Sequence, residues 1–161
     1  MSVADIHWRT HRATYHAAAL AALGGSPEWD VALRAYIQRR VLANADMEFG
    51  ASYRSEDSQL RIRWDLEARF GKGYRQHPDA AAHVAELDAF VDQDDAATYE
   101  NFSRPLFEAA HRLALTPAPS LEAACFKQLM METEEIYCDG DMPRDCMEIV
   151  EEDFARLAGV L

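Results

Sequence analysis

Ser26-Pro27-Glu28-Trp29-Asp30-Val31-Ala32-Leu33-Arg34-Ala35-Tyr36-Ile37-Gln38-Arg39-Arg40-Val41 opens on a helix start signal and continues at helix spacing. Ser26 is a capping residue, Pro27 stands where a missing N–H costs nothing, and Glu28 puts an acid in the first turn. Trp29, Leu33, Tyr36, Ile37 and Val41 then recur at intervals of three and four, which aligns them on one helical face. The spacing predicts a helix that runs to about Arg54, with Gly50 and the polar Ser55-Glu56-Asp57-Ser58 weakening its end.

The same punctuation extends outward in both directions. Upstream, Asp5 caps a helix that Gly24-Gly25 ends after Leu23. Downstream, Gln59 to Phe70 places Leu60, Trp64 and Leu66 on an apolar stripe, closed by Gly71-Lys72-Gly73. Pro78-Asp79 opens a fourth helix with Val84, Leu87 and Val91 on one face and Phe90 alongside. Pro105 lies in an otherwise helical stretch and removes one backbone donor, so a kink or restart is expected near Ser103. Leu106, Ala110 and Leu113 continue that pattern. Thr116-Pro117-Ala118-Pro119-Ser120 reads as a loop. Ser120 then caps a helix through about Tyr137, with Leu121, Cys125, Leu129 and Ile136 inward. After a turn at Asp139-Gly140-Asp141, Pro143 starts a last helix with Cys146, Ile149, Val150, Phe154 and Leu157 inward, ending at Gly159. No segment alternates as a strand does. The expectation is an all-α protein, a compact bundle of about five to seven helices forming a single domain over 1–161.

Charge divides the chain. Residues 1–78 carry eleven Lys/Arg against nine Asp/Glu, and residues 79–161 carry five against nineteen, within a net charge of −12. An excess of that size disfavours nonspecific contact with nucleic acid or anionic lipid, which need clustered cations. No apolar run approaches the roughly 18 residues of a membrane span. The first residues carry Asp5 and His7 where a signal peptide wants an apolar stretch, so a cytoplasmic location is expected. Cys125, Cys138 and Cys146 form no even framework and read as free thiols.

Thr116-Pro117-Ala118-Pro119-Ser120-Leu121-Glu122-Ala123 and the two short amphipathic helices after it resemble small uncharacterised helical proteins of alphaproteobacterial genomes, often in phage-derived regions. The similarity covers about the last 45 residues. It implies an accessory or phage-linked role and brings no activity and no functional residues.

Chemistry-bearing patterns are sparse. His7 and His11 lie roughly 40° apart on a helix, but His16 falls about 180° from His7, so the three do not converge on a metal. Glu108-Ala109-Ala110-His111 matches one Glu-x-x-His unit of di-iron bundles, which need two such units and further carboxylates. Asp139-Gly140-Asp141 fails the calcium-loop rule, because Arg144 and Val150 stand where Gly and Glu belong. No nucleophile with a partner is visible, and no cofactor is expected.

Two stretches remain. Between Glu132 and Asp153 ten acids face a single base, Arg144. Glu134, Glu135, Asp139, Asp141, Asp145, Glu148, Glu151 and Glu152 are the candidates for an outward carboxylate surface that docks on a basic protein or imitates the phosphates of nucleic acid. Arg61, Arg63, Lys72 and Arg75, interleaved with Trp64, Phe70 and Tyr74, form a second candidate contact or self-association surface. The expectation is a binding protein whose partner is a protein with a basic surface, with homo-oligomerisation open. The alternatives are a helical-bundle metal-binding protein or enzyme using Glu108 and His111, and nucleic-acid binding through residues 61–75.

Overall fold

The structure, a computed structural model, describes residues 13–136, 140 and 142–159. It is all-α, with no strand among the described residues. The elements are α1 (described over 13–21), α2 (Pro27–Phe49), α3 (Ala51–Phe70), single 3₁₀ turns at Tyr74–Gln76 and Pro78–Ala80, α4 (Ala81–Thr98), a π-helical turn at Tyr99–Ser103, α5 (Arg104–Leu115), α6 (Leu121–Thr133) and α7 (Cys146–Leu157). None of these helices is long and apolar enough to cross a membrane.

The predicted domain over 1–161 contains two compact units. One comprises residues 1–41 and 105–161, the other residues 42–104. The first has the richer core: Tyr15, Trp29, Leu33, Tyr36, Leu113, Phe126, Met130, Met131 and Ile136 are all fully buried. The start signal of α2 works as read, with Ser26 Oγ accepting from Trp29 N at 3.4 Å. Trp29 donates its ring N–H to Ala22 O at 2.7 Å and so ties α2 to the end of α1. Gly24 adopts φ +94°, a conformation that L side chains rarely take.

The Thr116–Ser120 loop is clamped from inside. Lys127 Nζ donates to Thr116 O at 2.6 Å and to Asp153 Oδ2 at 2.5 Å. Asp153 Oδ1 accepts from Ala118 N at 3.0 Å, and Arg156 bonds both Asp153 and Ala118 O. Burial lowers the Lys127 pKa, while Asp153 opposes that shift by favouring the charged ammonium.

The second unit is a hairpin of α3 and α4 together with the end of α2. Its fully buried apolar side chains are Leu66, Ala80 and Leu87.

Several boundaries differ from expectation for local reasons. α2 stops at Phe49 because Asp46 reaches forward: its Oδ1 accepts from Ala51 N at 2.9 Å and from Ser52 N at 3.4 Å, capping α3 in place of Gly50. Ser55 to Ser58 therefore lie inside α3. α6 ends at Thr133, short of Tyr137, where Glu135 takes φ +56°. α7 starts at Cys146, not Pro143, because Asp145 Oδ1 accepts from Met147 N at 2.8 Å and Glu148 N at 3.2 Å. Near Ser103, where a kink or a restart is expected, the helical backbone runs on through the π-helical turn, in which Arg104 N bonds to Tyr99 O and widens the helix just before Pro105. Val41, Leu121 and Cys125, read as inward, are exposed.

Candidate interaction surface

The acidic end divides on folding. Glu134 is only 6% exposed. Its Oε1 accepts from Tyr36 OH at 2.5 Å and Arg40 Nε at 2.9 Å, and its Oε2 pairs with the Arg40 guanidinium. Tyr15 OH lies 2.6 Å from Tyr36 OH and completes the network. Burial and the Glu134 charge raise both phenol pKa values well above their ordinary value. The predicted outward role of Glu134 is thus corrected: its carboxylate is an internal counter-charge. Asp153 is internal as well. Glu135, Asp145, Glu148, Glu151 and Glu152 are exposed, but Asp145 caps α7 and Glu152 is paired with Arg144. The hydrogen bond from Arg144 depresses the Glu152 pKa. Asp139 and Asp141 lie outside the described residues, as do His7, His11 and Cys138.

The basic stretch is exposed and largely matched. Arg61 pairs with Asp57 at 2.8 Å, Arg69 with Asp65 at 3.3 Å and Arg75 with Asp88 at 2.9 Å. Lys72 stands in the turn after Gly71, whose N–H closes α3 on Glu67 O at 2.8 Å. Arg63 lines a groove of about 470 Å³ with Glu56, Gln59, Asp94 and Asp95. A second groove of about 390 Å³ carries Arg61, Asp65, Arg69, His83 and Glu86. Both mix the two signs of charge, so neither offers a single-sign cradle for phosphate. Glu108 is exposed and His111 half-buried on α5. Among the described residues no three His, Cys, Asp or Glu side chains are placed to hold a metal ion.

Sequence reasoning misses the outward face of α3. At about 100° per residue, Tyr53, Leu60 and Trp64 fall within roughly 40° of one another, while Leu66 lies roughly 140° away. Leu66 therefore enters the hairpin core, away from the face that Leu60 and Trp64 share as expected. Tyr53 and Trp64 point outward, 51% and 63% exposed, and Leu60, 39% exposed, sits between them at the edge of the groove it lines with Val91 of α4. Two large aromatic side chains left in water on one helical face are the kind of surface that interfaces cover. The signal is present in the intervals of seven and four from Tyr53 to Leu60 to Trp64. A helix read as running on to Arg54 obscures it, because that reading places Tyr53 in the preceding element.

The chain matches no known protein family, no curated protein and no solved structure.

Proposed function

We propose that this protein works by binding another protein through the outward face of α3. The observation that carries this reading is the exposed Tyr53–Leu60–Trp64 stripe on a hairpin whose own core uses the opposite side of the helix. Large aromatic side chains with arginines beside them are the residue types that dominate binding energy at interfaces. Trp64 is the anchor, Tyr53 and Leu60 extend it, and Arg61 and Arg63 flank it.

Docking of α7 on a basic partner is the second reading, supported by exposed Glu148 and Glu151. In its concrete form, a phage-linked inhibitor imitating nucleic acid, it calls for a dense outward array that the inward Glu134 and Asp153 deplete.

A photo-crosslinking side chain at Leu60, compared with the same group at exposed Ala85 on α4, tests the first reading in the native host. The expected result is a discrete protein adduct from position 60 that Trp64→Ala removes. Loss of the adduct in a Glu148→Gln/Glu151→Gln variant, with Trp64→Ala harmless, favours the second reading. No adduct at position 60 above the Ala85 background rejects the first.

A further inference from the structure

α1 and α2 pack as an antiparallel pair and leave a cleft of about 340 Å³ between them. Going beyond the reading of α3, and independent of it, we propose that this cleft binds a small amphiphilic carboxylate. Its apolar chain lies between the two helices and its carboxylate is held by Arg34.

The cleft follows from the residues that the helices turn toward each other. His16, Ala19 and Leu20 share one face of α1, with Leu23 just past its end. The contacts of Tyr15 with Tyr36 and of Ala22 with Trp29 fix the antiparallel register, and in it His16 stands close to the level of Arg34. Ala19 and Leu33 are buried and form the floor. The small side chain of Ala19 leaves a depth that a longer one would fill. Leu20, 68% exposed, and the half-buried Leu23 and Ile37 form the walls. An apolar lining with a few convergent polar groups, at the lower end of the roughly 300–1,000 Å³ of such pockets, suits a small molecule.

Arg34 selects the ligand's charge. It is the one Lys, Arg, Asp or Glu on the lining, and among the described residues it has no ion pair. The acid one turn before it on α2, Asp30, is turned to the loop, where its Oδ1 accepts from Gly24 N at 2.8 Å. The forked guanidinium donors match a carboxylate in two parallel hydrogen bonds. Gln38, one turn further along α2, and His16 across the cleft add polar atoms at this end. The carboxylate is therefore fixed there, and the chain runs toward Leu20 and Leu23. A single cation within a net charge of −12 does not suit a polyanion, and a cationic ligand is repelled by Arg34.

Titration of the full chain with octanoate at neutral pH, followed by the methyl NMR signals of Leu20, Leu23, Leu33 and Ile37, tests the proposal. Saturable shifts at these methyls are expected, with a dissociation constant of about 0.1–1 mM. Octanol keeps the chain and lacks the charge, and should bind at least about tenfold more weakly. Arg34→Gln should weaken octanoate by a similar factor and leave octanol unchanged. Arg34 is exposed, and far-UV circular dichroism of the variant checks that the helix content is kept. The comparison of acid with alcohol uses the unaltered chain and stands whatever the variant does. Equal affinity for the two, octanoate binding that survives Arg34→Gln, or shifts that fail to saturate or fall at other methyls each overturn the proposal.

Discussion

Glu134 is the residue at which charge and packing must be weighed against each other. A carboxylate taken out of water is costly unless a cation and further donors meet it, and Arg40 and Tyr36 supply both. Glu134→Gln leaves the Arg40 guanidinium buried without the Glu134 charge. Urea denaturation should then show a loss of about 3–5 kcal/mol. Tyr36→Phe keeps the ion pair and removes the hydroxyl that bonds both Glu134 and Tyr15 OH, and about 1–3 kcal/mol is expected. Equal losses would mean that the ion pair contributes no more than the Tyr36 hydroxyl does. The two phenols make a second prediction. Tyr15 and Tyr36 have folded pKa values raised above 10.0 by burial first and Glu134 second. A raised pKa contributes stability that is fully present below the unfolded value and is lost as pH rises toward the folded one. Stability should therefore fall as pH rises above about 10, with the ionisation of these two tyrosines coinciding with loss of far-UV ellipticity. Phenolate absorbance from all six tyrosines while the helices persist would contradict this. The inward placement of Tyr36 is legible from the three-and-four spacing of α2. Its acid partner is not, because the contact spans 98 residues of sequence and nothing local distinguishes Glu134 from its exposed neighbour Glu135.

At the scale of the element, the junction of α2 and α3 shows which sequence signals count. Gly50 N bonds to Asp46 O at 2.8 Å, and a Cβ added at Gly50 would collide with the Asp46 carboxylate, Cα and carbonyl oxygen. Backbone atoms cannot swing aside as a flexible side chain can, so Gly50→Ala is expected to cost about 1–3 kcal/mol. Asp46→Ala removes the cap on Ala51 and Ser52 and should cost about 1 kcal/mol. Gly73, at φ −89° with open space around it, is the control. Gly73→Ala should be neutral or stabilise by up to about 1 kcal/mol. Thermal melts of the three variants check the order; a Gly50→Ala melt matching that of Gly73→Ala would show that the junction tolerates a side chain. The helix ends marked by Ser26-Pro27, Gly71 and Ser120 are readable because each acts on its immediate neighbours. The break at Gly50 is harder to place, because Ser55-Glu56-Asp57-Ser58 resembles a loop in composition, whereas its polar side chains are accommodated along the sides of a helix. Moving the break past Gly50 separates Tyr53 from Leu60 and Trp64 and hides the stripe.

For the whole molecule, the asymmetry of charge along the chain is plain from composition, but the asymmetry of cores is not. The first unit buries Trp29, Tyr36, Phe126 and its two adjacent methionines, Met130 and Met131, and internally satisfies Lys127 and Asp153. The second relies on Leu66, Leu87 and Ala80 among its described residues, while Phe49, Tyr53, Trp64 and Tyr99 remain exposed. A counting of apolar residues cannot distinguish these cases, since both stretches contain aromatic and aliphatic side chains at helical intervals. What differs is whether a facing helix accepts them. Local opening free energy follows buried apolar contact, so amide hydrogen exchange should divide at the unit boundaries. Amides of α3 and α4 are expected to exchange by opening at low free energy, and those of α2 before Val41, α5 and α6 only near global unfolding. Low intrinsic protection in α3 is also what a binding surface requires, because covering Tyr53, Leu60 and Trp64 adds the apolar contact that the hairpin lacks. Uniform protection across both units would show that the sparse core of the hairpin does not limit its stability, and would remove the physical reason for α3 to seek a partner.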